Sequence, residues 1–144
     1  MMTSPSPEPA DPGANQNDST GSTSRRVIVV LSADLFFGMR IRASLLPIGY
    51  VVSIHGDAAA FASALSADDQ RASLGLIDFN RPVDWSGLVD ALNGPVPIIA
   101  FGPHKDIAGF RAAKEAGVTR AVANGEFTRS LSELVERYAR SSDT

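Results

Sequence analysis

From Arg26 onward the sequence alternates short apolar bursts with longer stretches in which apolar residues recur three and four apart, a rhythm that few folds accept. The bursts are Val27-Ile-Val-Val-Leu31, Tyr50-Val-Val-Ser-Ile54, Leu74-Gly-Leu-Ile77, Val96-Pro-Ile-Ile-Ala-Phe101 and Val118-Thr-Arg-Ala-Val122. The first, third and fourth are apolar on both faces, as strands covered by helices on either side must be. Candidate helices fill the gaps at residues 34–46, 57–65, 85–92, 105–116 and 128–140. Strand-helix alternation with links this short implies right-handed crossovers, and therefore a five-stranded parallel sheet inside a three-layer α/β/α sandwich.

Local punctuation agrees with this reading. Pro47 stops the first helix, Asp57 caps the second with its carboxylate, and Gly117 closes the fourth in a left-handed conformation. Pro97 cannot donate to a ladder, so the fourth strand runs mainly from Ile98 to Phe101. The Asn93-Gly94 pair reads as the turn after the third helix. In the last helix Leu131, Leu134, Val135 and Tyr138 form an apolar stripe, flanked by the candidate ion pairs Glu133/Arg137 and Glu136/Arg140. Burying its three aliphatic side chains stabilises by roughly 4–8 kcal/mol before entropy, far more than such surface pairs.

The first 24 of the 144 residues contain four of the nine prolines and no Leu, Ile, Val or aromatic residue, so residues 1–24 read as a disordered acidic leader and 25–144 as one domain. The leader's Glu8, Asp11 and Asp18 supply the whole net charge of -3, since the remainder carries 13 acidic and 13 basic residues. A neutral domain with scattered basic residues offers no field for a phosphate backbone, so direct nucleic-acid binding is not expected. The absence of cysteine rules out disulfides and thiolate chemistry. With neither an apolar run of membrane length nor a signal-like start, the expectation is a cytoplasmic protein with no membrane partner.

In an open parallel sheet, function gathers beyond the carboxyl ends of the strands. The residues there are Ser32, Ala33 and Asp34 after the first burst, Asp78, Phe79 and Asn80 after the third, Gly102, Pro103 and His104 after the fourth, and Ala123, Asn124 and Gly125 after the fifth. Asp78 is the sharpest candidate: a carboxylate ending a central strand can act as base, metal ligand or phosphoryl acceptor, or can simply cap the following turn. A hard cation needs several converging oxygen ligands and only Asp34 could join Asp78, so no tight divalent-ion site is expected. His55 and His104 follow different strands without a ligand partner at suitable spacing, which argues against zinc. There is no glycine-rich phosphate loop and no Gly-x-Ser-x-Gly elbow, so neither a cofactor nor enzymatic activity is indicated.

The order of segments over about residues 25–140 resembles the receiver domain of bacterial two-component response regulators. The stretches that carry the likeness are Val27-Ile-Val-Val-Leu with Ser32-Ala-Asp34, Leu74-Gly-Leu-Ile-Asp78, Pro97-Ile-Ile-Ala-Phe-Gly102 and Lys114-Glu-Ala-Gly-Val-Thr-Arg-Ala-Val-Ala-Asn124, running into Phe127. The resemblance implies a flavodoxin/CheY-like sheet in the order 2-1-3-4-5 and places the family's phosphoacceptor at Asp78. Its Mg²⁺-holding acidic pair falls on Ser32 and Ala33, its switching hydroxyl residue on Gly102, and its lysine on Asn124. Of this set of four only the acceptor remains and its three partners are missing, which implies an atypical, pseudo-receiver variant.

The expected function is a stand-alone, receiver-like signalling module that acts through protein contacts with another signalling protein or with itself. The alternatives are a true response regulator phosphorylated at Asp78, and a small ligand sensor or enzyme using the crevice. The resemblance puts a partner face over residues 105–138, with Phe110 and Phe127 as candidate contacts whose plainer role is packing. Phe36, Phe37 and Met39, with Ile41 and Leu45, span more than one side of the first helix, so one or two can stand exposed, although a buried helix end explains them without a partner. Asp84 reads as a cap with Trp85 covering the sheet edge, and Arg25-Arg26 as a solubilising flank.

Overall fold

The computed structural model describes residues 26–67 and 72–140; the acidic leader, its boundary at residue 25 and Arg25 lie outside the described residues. Five strands form the sheet: β1 (Arg26–Leu31), β2 (Tyr50–His55), β3 (Ala72–Asp78), β4 (Ile98–Gly102) and β5 (Arg120–Ala123). All pair in parallel, in the order β2-β1-β3-β4-β5, which is the 2-1-3-4-5 arrangement of a CheY-like α/β/α sandwich. Every residue of β3 and β4 is buried, as both faces of the sheet are covered.

The helices are α1 (Leu35–Leu45), α2 (Ala58–Leu65), α3 (Val89–Leu92), α4 (Ile107–Ala116) and α5 (Asn124–Tyr138). Alternation along the strands divides the core in two. On one side Ile28, Val30, Leu74, Leu76, Phe101 and Val122 meet Ile41 and Leu45 of α1 and Phe127, Leu131, Leu134 and Val135 of α5. On the other, Val27, Val29, Ile77, Ile98 and Ala100 meet Phe61, Leu65, Leu92 and Ala113 of α2, α3 and α4. Among the described residues no helix is long and apolar enough to cross a membrane.

Aspartates cap α1, α2, the 3-10 turn at Trp85–Leu88 and α4, and that matters for the site. Asp34 accepts from the amide of Phe37 (3.2 Å), Asp57 from Ala60 (2.8 Å), Asp84 from Gly87 (3.2 Å) and Asp106 from Gly109 (2.9 Å). Each such cap stabilises its helix by about 1 kcal/mol. In a parallel α/β fold the helices begin at the carboxyl edge of the sheet, so four carboxylates near the crevice are committed to backbone amides.

Several boundaries differ from the sequence reading. The third helical stretch is a 3-10 turn (Trp85–Leu88) followed by the single turn of α3, and Trp85 packs on the sheet behind the Asp84 cap. Helix α5 begins at Asn124 rather than at residue 128, with a break in helical geometry at Ser130. Neither expected ion pair in α5 forms. Among the described residues the one ion pair is Arg120 with Glu126 at 3.4 Å, while Arg140 turns back to donate to the Ala72 carbonyl at 3.1 Å. Arg26 is likewise no loose flank: it donates to the Tyr50 hydroxyl at 3.1 Å and lies over that ring.

Candidate functional site

The strand ends bring Ser32, Asp78, Gly102 and Asn124 to one edge of the sheet. Ser32 follows β1 and is fixed there by its own amide, which donates to the His55 carbonyl at 2.9 Å. Asp78 ends the middle strand β3, in register with Phe101, and Gly102 ends β4 in register with Ala123, just before Asn124.

Asp78 is 6 % exposed, and both its oxygens are occupied. The Ser32 hydroxyl donates to Oδ2 at 2.8 Å and in turn accepts from the Asp34 amide at 3.1 Å. Oδ1 accepts twice from Asn80, from the backbone amide at 2.8 Å and from Nδ2 at 2.7 Å. The backbone bond closes a turn of the kind aspartate makes with the residue two places on. Asn80 then pairs with Asn124 through both amides, donating from Nδ2 to Oδ1 at 3.1 Å and accepting from Asn124 Nδ2 at 2.7 Å. The result is a ladder of uncharged donors around one carboxylate, Ser32 to Asp78 to Asn80 to Asn124, that ties the ends of β1, β3 and β5 together. Among the described residues no cation forms an ion pair with Asp78.

The place beside Gly102 is filled. A side chain added there would drive its Cβ into the edge of Phe79, whose ring is buried against Trp85 and meets Phe110 edge-on at 5.1 Å. Glycine is therefore required at position 102 by contact with Phe79, and no hydroxyl-bearing side chain fits without displacing that ring.

The other candidates are dispersed. Ala33 is exposed at the rim, beside a cavity of about 240 Å³ that Asp57, Asp78, Arg81 and Asp84 also line. Asp34 is exposed and spent on the α1 cap. His55 lies 2.6 Å from the Ser53 hydroxyl, and His104 is exposed in the turn before α4. Among the described residues no group of three or more His, Cys, Asp or Glu side chains could hold a metal ion. The Mg²⁺ that the receiver fold implies does not fit this donor set, which offers one buried carboxylate already holding three hydrogen bonds.

Phe127 is 1 % exposed and stacks on Phe101 at 3.8 Å, so its ring offers no surface to a partner and is core. Phe110 is half-buried on Phe79. Two residues that shape the site, Asn80 and Phe79, stood among the crevice positions without a role. Asn80 was findable from its place two residues beyond a strand-ending aspartate; Phe79 acts across strands, and nothing local announces that.

No family model matches the chain, and no curated protein does. Solved structures do. A CheY-like response regulator receiver domain from Methanospirillum hungatei JF-1 superposes with a TM-score of 0.67 at 19 % identity, covering 79 % of this chain and 93 % of that one. The chemotaxis response regulator CheY4 of Vibrio cholerae gives 0.62 at 18 % identity, covering 78 % and 98 %. The receiver domain of the sensor histidine kinase PA1611 from Pseudomonas aeruginosa PAO1, with a magnesium ion coordinated in its active-site cleft, gives 0.66 at 21 % identity, covering 78 % and 96 %. The chain thus has the receiver fold over its described domain.

Proposed function

We propose that this chain is a receiver-like signalling module that works through protein contacts and does not use metal-dependent phosphorylation of Asp78. The observation that carries the reading is the closed set of hydrogen bonds on that carboxylate, Ser32 on Oδ2 and Asn80 twice on Oδ1. In-line phosphoryl transfer to an aspartate puts charge on equatorial oxygens that a metal, a cation and a hydroxyl normally stabilise. Here the corresponding places hold Ser32 and Ala33, Asn124, and a glycine covered by Phe79. Small-molecule phosphoryl donor with Mg²⁺, followed by intact-mass measurement at acidic pH, tests the reading. The expected result is unmodified protein, and an adduct of phosphoryl mass on the wild type that Asp78→Asn abolishes would overturn it.

A genuine phosphoacceptor keeps one supporting observation, the position of Asp78 at the end of the middle strand beside an open cavity. A ligand sensor is less well supported: that cavity, about 240 Å³, is smaller than the ~300–1,000 Å³ usual for small-molecule sites.

A further inference from the structure

Helix α1 is apolar on two opposite faces. Its inner face carries Ile41 and Leu45 into the core. Its outer face carries Leu35, Phe36, Met39, Ala43 and the following Leu46, of which Leu35, Phe36, Met39 and Leu46 are 63, 81, 49 and 62 % exposed. The spacing places these on a single stripe about 100° wide, the width that normally faces a core. Both arginines of the helix are held off it. Arg42 donates to the Val52 carbonyl at 3.1 Å, and Arg40 lies over the Phe37 ring, leaving the stripe without charge along its length.

We infer that this stripe is a self-association surface, occupied by α1 of a second copy in antiparallel contact. Two features select that occupant. The leader has no Leu, Ile, Val or aromatic residue with which to cover an apolar stripe, so the chain does not supply its own cover from there. The stripe is self-complementary about Ile41: a twofold axis there sets Phe36 against the partner's Leu46 and Met39 against the partner's Ala43, a large residue facing a small one. Area then sets the strength. At ~150–200 Å² for each large side chain, the four expose roughly 450 Å² per copy, so two copies bury about 900 Å², below the ~1,200–2,000 Å² of stable complexes. The dimer is consequently reversible and concentration-dependent. It supplies a partner for the interaction reading above but does not depend on Asp78 being silent.

Sedimentation velocity of the full chain from about 1 to about 500 µM tests it. A rise from monomer to dimer across that range is expected for wild type and for Asp78→Asn. Phe36→Asp and, independently, Ala43→Arg should stay monomeric at the highest concentration with unchanged thermal melting, since both positions are exposed. A wild type that is monomeric throughout, or a dimer that survives both folded variants, would overturn the proposal. A phosphoryl adduct on Asp78 would defeat the functional reading and leave this one standing.

Discussion

At the carboxyl edge of the sheet, where an open α/β fold usually keeps reactive groups accessible, the carboxylate is buried and hydrogen-bonded on both oxygens, and the neighbouring Gly102 is covered by an aromatic ring. On the outer face of α1, where solvent usually meets charge, four large apolar side chains stand uncovered and both arginines are turned aside. The two regions have exchanged their usual characters. Polar groups in the crevice satisfy one another and have little left to give a ligand, whereas the apolar groups on α1 gain free energy only when something covers them. The proposed function follows from that difference: a receiver scaffold whose crevice is closed to chemistry would still have a surface through which to communicate.

The largest effect that would break the comparison lies at Phe79. Phe79→Ala removes a buried ring and should cost about 3–5 kcal/mol in a denaturant titration; a loss under 1 kcal/mol would mean that the ring does not wall the crevice. Gly102→Ser, which drives a side chain into that ring, should cost about 1–3 kcal/mol. Combining the two should cost less than their sum, because the cavity left by Phe79 accepts the new side chain. Asn80→Ala strips one side-chain donor from buried Asp78 and leaves Asn124 unpaired, for an expected loss of about 1–3 kcal/mol. Phe36→Asp sharpens the contrast from the other side, with stability expected to stay within about 0.5 kcal/mol while self-association disappears.

The smallest effect serves as a reference away from both regions. Tyr50 stands at the start of β2, and burial raises its hydroxyl pKa above the usual value of 10.0; nearby Glu136 adds to the rise and Arg26 opposes it. The folded state therefore holds the phenolic proton more tightly than the unfolded chain does. That contribution is complete below about 10 and declines as pH rises through the raised value. Thermal melting should fall along the alkaline limb, and Tyr50→Phe should make that limb shallower. Equal slopes for the two proteins would contradict the assignment.

Much of the fold was legible because parallel strands buried on both faces leave unmistakable apolar bursts. The errors have local causes. Ala72 and Ser73 are fully buried but carry little apolar signal, so β3 read as starting at Leu74. Asn124-Gly125 has the composition of a turn, which hid the first turn of α5. Strand-end arithmetic located Ser32, Asp78, Gly102 and Asn124 correctly on one edge, yet it could not show that Phe79 leans across to Gly102 or that the two asparagines pair, since both depend on how neighbouring strands approach. Apolar spacing on more than one side of α1 leaves open which of Phe36, Phe37 and Met39 stand exposed; the fold turns Phe36 and Met39 to solvent and packs Phe37 against the core.

The most direct measurement is a residue-resolved amide NMR comparison of the full chain, recorded at low and high protein concentration and with and without Mg²⁺ and a phosphoryl donor. Shifts that grow with concentration should centre on Leu35, Phe36, Met39, Ala43 and Leu46, while Ser32, Asp78, Asn80, Gly102 and Asn124 stay unmoved by metal and donor. Donor-dependent shifts centred on Asp78, with α1 indifferent to concentration, would contradict both halves of the comparison.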